Sequence, residues 1–464
     1  MIAGSYTTVH AARNGQPSVT LVAAHASNAT VVSPDVRVTT TSGPANEVML
    51  AVDPTDPLHI IATAKDYTLT ASTPQRCSVN RVWGGLYVSF DGGATWTNGH
   101  FPGAIPSEPA TAASGFDCMS DPVVVFGPDG MAHFTGLMAS KHVIDKAACA
   151  PLAAVGCPTE WGLLYAKSRD GLTWTDDKLI WTGTGPTANT WADKNWQAVD
   201  PSDASKVYVT WDLITVTAQP MLSRSMDGGA TWITTVLPMA GALTAPVVDT
   251  DGTLYVALQG ECTQQHAPPA TNCISVLRST NGGATFLVSD AGPTTGYTSG
   301  LPYRTVASPY VAAHNGHVFV AWADGAYQPR TASFIGRVAV ARSADAGATF
   351  TMTLLTDEVT SQQLMPQVAV NPNGIVGVLY YQDDMSNQHN MRARFQSAQD
   401  GVGFGPATSA SSHSFTPWSS YHQDGFVFMG DYLGLGAGSD GKFHAIWTDT
   451  RNGRADLYAT TITT

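Results

Sequence analysis

The amino-acid sequence predicts an all-β chain folded as a ring of seven four-stranded antiparallel blades, a β-propeller, with six blades as the alternative count. Three observations predict it: an eight-residue phrase recurs at blade spacing, an alternating apolar run precedes each copy, and the composition suits short strands joined by tight turns. The phrase is SFDGGATW at Ser89. It returns as SRDGLTW at Ser168 (one residue shorter), SMDGGATW at Ser225, STNGGATF at Ser279, SADAGATF at Ser343 and, worn, as SAQDGVGF at Ser397. The starts are separated by 79, 57, 54, 64 and 54 residues. That period is too long for a leucine-rich or ankyrin unit and suits a propeller blade.

The chain has 464 residues, of which 43% are hydrophobic and 13% charged. The charged share is about half the usual one, while 44 Gly, 12 Trp and 15 Tyr supply turns and strands. A net charge of −13 speaks against nucleic-acid phosphates as the partner and suits a neutral or cationic ligand. The sequence holds no apolar run of membrane-spanning length.

Each element has its own reason. In the phrase, the Asp or Asn side chain accepts bonds from backbone N–H groups of the turn, Gly supplies positive φ, and the aromatic plugs the blade edge. Runs such as GGLYVSF, PMLSRS and GRVAVARS, just before it, read as strands. The front half of each unit is an apolar strand ending in a turn, as in EVMLAVDPTDP or NWQAVDPSD, followed by a second strand such as HIIATAKD or KVYVTWD. Six units carry the full pattern. A seventh starts at GDYLGLGAGSDG, supplies three strands and no phrase, and ends the chain. The N-terminal segment, residues 1–45 with VRVTT, is then expected to complete the last blade, which removes an exposed edge and makes residues 1–464 a single domain.

Six cysteines, at 77, 118, 149, 157, 262 and 273, fall in segments read as loops, with no zinc spacing. Cys149/Cys157 and Cys262/Cys273 each bracket a short polar loop, as a local disulfide would, leaving Cys77 and Cys118 by elimination. Paired cysteines suit an extracellular, secreted protein. The segment MIAGSYTTVH is not a secretory leader, so a secreted form would have lost its leader.

The phrase resembles the Asp box (BNR repeat), SxDxGxTW, of sialidases and related carbohydrate-active propellers, over residues 46–404; the rest joins by strand pattern. The resemblance implies that the box lies on the outer turn between third and fourth strands, away from the active face. It identifies a fold and carries no chemistry. It further implies a mouth built by residues entering the innermost strands and by loops after the second strands. Entering the innermost strands are Glu47, Asp121, Asp193 with Lys194, and Asp431 with Tyr432. Their carboxylates would crowd at the axis, where like charges raise one pKa or call for a cation. A general acid and a structural Ca²⁺ are both consequences of such crowding, although no cofactor is required. After the second strands come Asp66, Asp212, Glu261, Asp324, Asp383 and Asp449, with Lys141 and His142 in the second unit. An Asp there also simply starts a turn.

Sialidases of this superfamily bring three arginines onto a sugar carboxylate, with a Tyr nucleophile, its Glu partner and an Asp acid/base. This chain departs from that pattern. No FRIP-like motif opens its first unit, and the nearest piece is Tyr303–Arg304, with Arg76, Arg81, Arg330, Arg451 and Arg454 the other candidates. SSYHQDG joins Tyr421, His422 and Asp424 in the long segment before the last unit, and this, with His142, supplies candidate proton-transfer groups. Histidine and tyrosine beside arginine also suit β-elimination at a uronic acid, as in the seven-bladed polysaccharide lyases and rhamnose-releasing enzymes that this pattern resembles. Trp191, Tyr297, Tyr303, Tyr327 and Trp418 could stack on sugar faces; Trp196 equally suits blade core.

Three functions stay open: an exo-acting glycosidase cleaving terminal sugars, a polysaccharide lyase, and a non-catalytic propeller binding glycan or protein. The catalytic candidates are Glu47, Asp121, Asp193, Asp431, Tyr421, His422 and His142. The substrate-binding candidates are Lys194, Arg304, Tyr303, Tyr432, Trp191 and Arg451. The expected partner is an oligosaccharide or polysaccharide, without nucleic acid or membrane, bound by a monomer. Peptide mapping without reductant is expected to recover Cys149 joined to Cys157 and Cys262 joined to Cys273; free thiols at all four positions would remove the extracellular inference.

Overall fold

The structure, a computed structural model, describes residues 30–68, 82–105, 107–140, 160–184, 191–263, 272–295, 303–328, 333–355, 361–423 and 426–464. Seven sheets radiate from one axis, each pairing its strands in chain order from the inside outward. The innermost strands are Ala45–Val52, Cys118–Phe126, Trp191–Asp200, Gly241–Val248, Tyr310–His314, Gln362–Val370 and Gly434–Ala437. The second strands bury the largest side chains, among them Trp211, Trp322 and Trp447, between neighbouring blades. Burial on both faces is why these strands read as near-continuous apolar runs.

The repeated phrase forms one turn wherever it is intact. In blade 1 the Ser89 hydroxyl donates to Asp91 (2.8 Å) and accepts from the Gly93 N–H (2.8 Å), while Asp91 accepts from the Thr95 N–H (2.9 Å). The Trp96 indole N–H reaches the Gly93 carbonyl at 3.1 Å. Ser225, Ser279 and Ser343 repeat the serine bonds, and Ser168 does so one residue shorter. The worn copy does not. There the Gly405 N–H bonds the Ser397 carbonyl, and Asp400 and Gly401 take the left-handed positions, because the Asp stands one residue late.

The last blade is closed from the other end of the chain. Val31–Val32 and Val36–Arg37 pair antiparallel with the final strand, Asp456–Thr463. Asp456 is the clasp: its carboxylate accepts from Arg37 (2.9 Å), Thr39 (3.0 Å), Arg454 (3.0 Å) and Asn452 (3.2 Å) with no side-chain exposure. Residues Leu287–Thr294 form a full outer strand, and the segment before the last blade holds a short helical turn, Pro417–Ser419, and a hairpin, Tyr421–Gln423 with Phe426–Phe428, that belongs to no blade. The Cys262–Cys273 disulfide is present and Cys118 is disulfide-bonded, whereas Cys77, Cys149 and Cys157 lie outside the described residues.

Replacing Asp456 by Ala strands the buried Thr39 hydroxyl and removes the partner of two partly exposed arginines, Arg37 and Arg454. The expected loss is about 2 kcal/mol, the scale for hydrogen bonds to a charged group. Urea unfolding measures it; an unchanged midpoint would mean that the N-terminal strands do not hold the ring shut.

Candidate functional site

One backbone device builds the site. In five innermost strands two residues oppose one residue of the second strand, a β-bulge between Asn46/Met49, Ser120/Val123, Asp193/Trp196, Ala242/Ala245 and Leu364/Gln367. The first bulged residue is left-handed in every case: Glu47 (φ 52°), Asp121 (47°), Lys194 (52°), Leu243 (62°) and Met365 (48°). None is glycine, so each costs roughly 1–2 kcal/mol of backbone strain. The pleat is broken at the same level of the ring each time, and bulges re-aim side chains in this way.

Glu47, Asp121 and Lys194 thereby converge with Asp431, Arg304 and a residue that sequence inspection passed over, Lys65. Lys65 Nζ lies 2.5 Å from Glu47 Oε2 and 3.4 Å from Asp121 Oδ1. Lys194 Nζ bonds Asp431 and lies 3.9 Å from Asp121 Oδ2, and Arg304 donates to Asp431 at 2.5 Å. Ser120 donates to Asp121 at 2.5 Å. The signal for Lys65 was in the sequence: it is the one charge inside the buried strand IIATAKD before its terminal Asp66. Trp196 packs beside the cluster against Tyr310 (tilted, centroids 5.0 Å apart) and Tyr432 (edge to face, 5.3 Å), around a cavity of about 20 Å³ that Asp121 and Lys194 also line.

Burial divides the carboxyls into two kinds. Desolvation pushes Glu47 up to about 8, reinforced by Asp121 and Asp431 and opposed by Lys65. Burial also works against ionisation of Asp121 and Asp431, but there the cations win. Lys65 and Lys194 hold Asp121 well below the usual range, and Lys194 and Arg304 hold Asp431 below it. Desolvation raises Asp193, whose carboxylate accepts from the Lys194 N–H at 2.9 Å, and raises Asp212 to about 7. Both ammonium groups sit above their ordinary values despite burial, Lys65 through Glu47 and Asp121, Lys194 through Asp431 and Asp121. A Ca²⁺ ion does not fit this set, since it would meet Lys65, Lys194 and Arg304. No cluster of three or more His, Cys, Asp or Glu suited to a metal occurs among the described residues.

Other predicted residues stand elsewhere. Tyr303 is 2% exposed and donates to Asp383 (2.5 Å), so it is packed and not open to the mouth. Arg451 pairs with Asp449 (2.6 Å) and Asp35 (2.8 Å) over the Tyr458 ring, so it clasps the N-terminal segment. Trp191 stands beside Trp161 at 6.2 Å. The acids ending second strands are mostly loop anchors: Asp66 accepts from the Thr68 N–H, Asp212 from Leu243, Asp324 from Thr295, Asp383 from Met385 and Asp449 from Arg451. Tyr421 and His422 lie in the hairpin with side chains outside the described set, as is His142. The other arm of that hairpin crosses the cluster. The Phe428 ring lies 5.3 Å from Lys65 Nζ and 5.0 Å from the Arg304 guanidinium carbon, and its carbonyl accepts from Asn46 at 3.1 Å.

No family model and no curated protein matches the chain. Solved structures resemble it at low identity. A protein of unknown function from Dyadobacter fermentans is 14% identical with a TM-score of 0.47, over 93% of this chain and 98% of that one. An α-L-arabinofuranosidase of Fusarium graminearum, solved with arabinobiose, is 11% identical with a TM-score of 0.49, over 93% and 97%. A Hadza microbial sialidase is 13% identical with a TM-score of 0.45, over 86% and 75%. The seven-bladed architecture rests on the strand pairing itself.

The raised Glu47 fixes a sign. The native protein keeps a proton on it up to about 8, whereas an ordinary Glu releases its proton near 4.5. Between those values the native state binds more protons than the unfolded one, so this group makes stability fall as pH rises through that window. Urea midpoints from pH 5 to 9 are expected to fall less steeply in Glu47→Gln than in the wild type; parallel curves would mean that Glu47 is ionised at neutral pH.

Proposed function

We propose that this protein is a secreted glycan-active hydrolase that removes terminal sugars at the axial mouth. One observation carries the proposal: three buried carboxyls, Glu47, Asp121 and Asp431, meet in a single cluster with unequal cationic contacts, so burial pushes Glu47 toward its protonated form while Lys65, Lys194 and Arg304 favour ionised Asp121 and Asp431. Carboxyls pushed apart in this way are the division of labour that glycoside hydrolysis needs. Glu47 is the group to protonate the glycosidic oxygen. Asp121 is the carboxylate to stabilise or attack the anomeric carbon, directly or through a water. Lys194 and Arg304, partly exposed, hold Asp431 and face the incoming sugar. The repeated phrase speaks for the fold alone, so the substrate class rests on the carboxyl cluster, and the Cys262–Cys273 disulfide supports secretion.

A second reading, a propeller that binds glycan without turnover, has its own observation. The cavity beside the ions is about 20 Å³, room for a water molecule, and Glu47 has no exposure. Under this reading the ion network is a structural hub.

A panel of sialosides, arabinosides, rhamnosides and uronides, followed by reducing ends and by ultraviolet absorbance, separates the possibilities. Hydrolysis is expected to appear as reducing ends without absorbance, and a new double bond would indicate a lyase. Glu47→Gln and Asp121→Asn are each expected to lower turnover 10²–10⁴-fold, the range for removing an acid or base. Wild-type rate should decline as pH rises through about 8, where Glu47 loses its proton. Retention on glycan with no turnover at any pH would leave the binding reading in place.

A further inference from the structure

Outside the ion cluster, one group of side chains on the same face has no part in the chemistry above. Of the twelve tryptophans, all of them among the described residues, Trp418 alone is exposed, at 37%. It sits in a short helical turn, Pro417–Ser419, and meets the His389 ring edge to face at 5.6 Å. His389 in turn meets Tyr303 at 5.7 Å. Beneath them Asp383, buried, accepts from His389 Nδ1 (2.8 Å), Tyr303 (2.5 Å) and the Met385 N–H (2.8 Å). His389 is left-handed at φ 50°, so the loop holds its ring in place at a backbone cost. Thr416 donates to the Gln388 carbonyl at 2.9 Å, tying the turn that carries Trp418 to that loop.

This stack is connected to the axial cluster by two short routes. Tyr303 is followed by Arg304, which pairs with Asp431. Ser420, two residues after Trp418, donates to the Phe428 carbonyl, which also accepts from Asn46 beside Glu47. A single exposed apolar residue is ordinary by itself; what sets this indole apart is that its neighbours hold it in place. A buttressed, low-entropy aromatic next to a polar site suits the apolar C–H face of a sugar ring.

We propose that Trp418, held by His389 and Asp383, is a sugar-binding subsite adjoining the axial mouth that stacks an uncharged ring of an oligosaccharide whose terminal residue reaches the ion cluster. The substrate class is therefore an oligosaccharide with a neutral sugar behind its terminal residue. This rests on the glycan reading above, yet its test is independent of turnover. Trp418 and His389 bind; Asp383 and Tyr303 position.

The test is calorimetric titration of the Glu47→Gln protein with arabinotriose, xylotriose and maltotriose. At least one trisaccharide is expected to bind, Trp418→Ala in that background to weaken it tenfold or more, and Trp418→Phe to restore most of the affinity. Asp383→Asn is expected to weaken binding and to change the fluorescence of Trp418, measured as the difference from the matching Trp418→Phe protein. Trisaccharide binding as tight in Trp418→Ala as in its parent, or no binding of any of the three, would overturn the subsite. Binding that needs Trp418 in a wild type that never turns over would remove the hydrolase reading alone. Turnover of a trisaccharide indifferent to Trp418→Ala would remove the subsite alone. Melting temperatures of the variants confirm the fold throughout.

Discussion

The left-handed bulge at the head of the innermost strands is the constraint on which the site depends. A regular pleat would alternate side chains between the two faces of each blade. Inserting one residue at the same level turns Glu47, Asp121 and Lys194 into a shared space. The same bulge in blades 4 and 6 carries Leu243 and Met365, so the distortion belongs to the architecture and its chemistry is local. Blades 1 to 3 and the approaches to blades 5 and 7 supply ions, and blade 4 supplies an apolar wall through Leu243. The ring is close to symmetric as a backbone and asymmetric as a site.

A strained bulge that buries charges is stable only if the charges answer one another. Glu47, Asp121 and Asp431 face Lys65, Lys194 and Arg304, and no cation in the group lacks a carboxylate within reach. Desolvation acts on every member, so the outcome for each carboxyl is decided by its count of cationic neighbours. Glu47 has Lys65 close by and two carboxylates nearby, and it keeps its proton. Asp431 has both Lys194 and Arg304 and loses its own. Phe428 lies over Lys65 and Arg304; Lys65 is buried beneath it, while Arg304 stays partly open to water.

The two ends of the propeller carry different loads. Antiparallel pairing sends the repeated serine–aspartate turns to one end and the connections after the second strands to the other. At the first end the bonds are local and repetitive. At the second they join residues far apart in the chain, as in Lys194 with Asp431 or Tyr303 with Asp383. Arg451 and Asp456 belong to neither end's chemistry; they hold the N-terminal strands on the last blade.

The sequence by itself pointed to seven blades with six as the alternative, and determined the strand order within each blade, the turn chemistry of the five intact phrases and the closure by N-terminal strands. All of these follow from local periodicity and residue preferences, which act over a few neighbours. It also marked Glu47, Asp121, Asp193, Lys194 and Asp431 as residues entering the innermost strands. Only the tertiary structure decided which of these meet, because the bulges that aim them depend on register across strands. It alone brought in Lys65, whose charge is unremarkable until Glu47 and Asp121 are folded around it. It paired Tyr303 with Asp383 and Arg451 with Asp35, since a polar side chain near a loop reveals its partner only when such distant chain segments are in place. The protonation of Glu47 is likewise tertiary: a carboxyl's pKa is set by burial and by neighbouring charge, and neither is a property of its place in the chain.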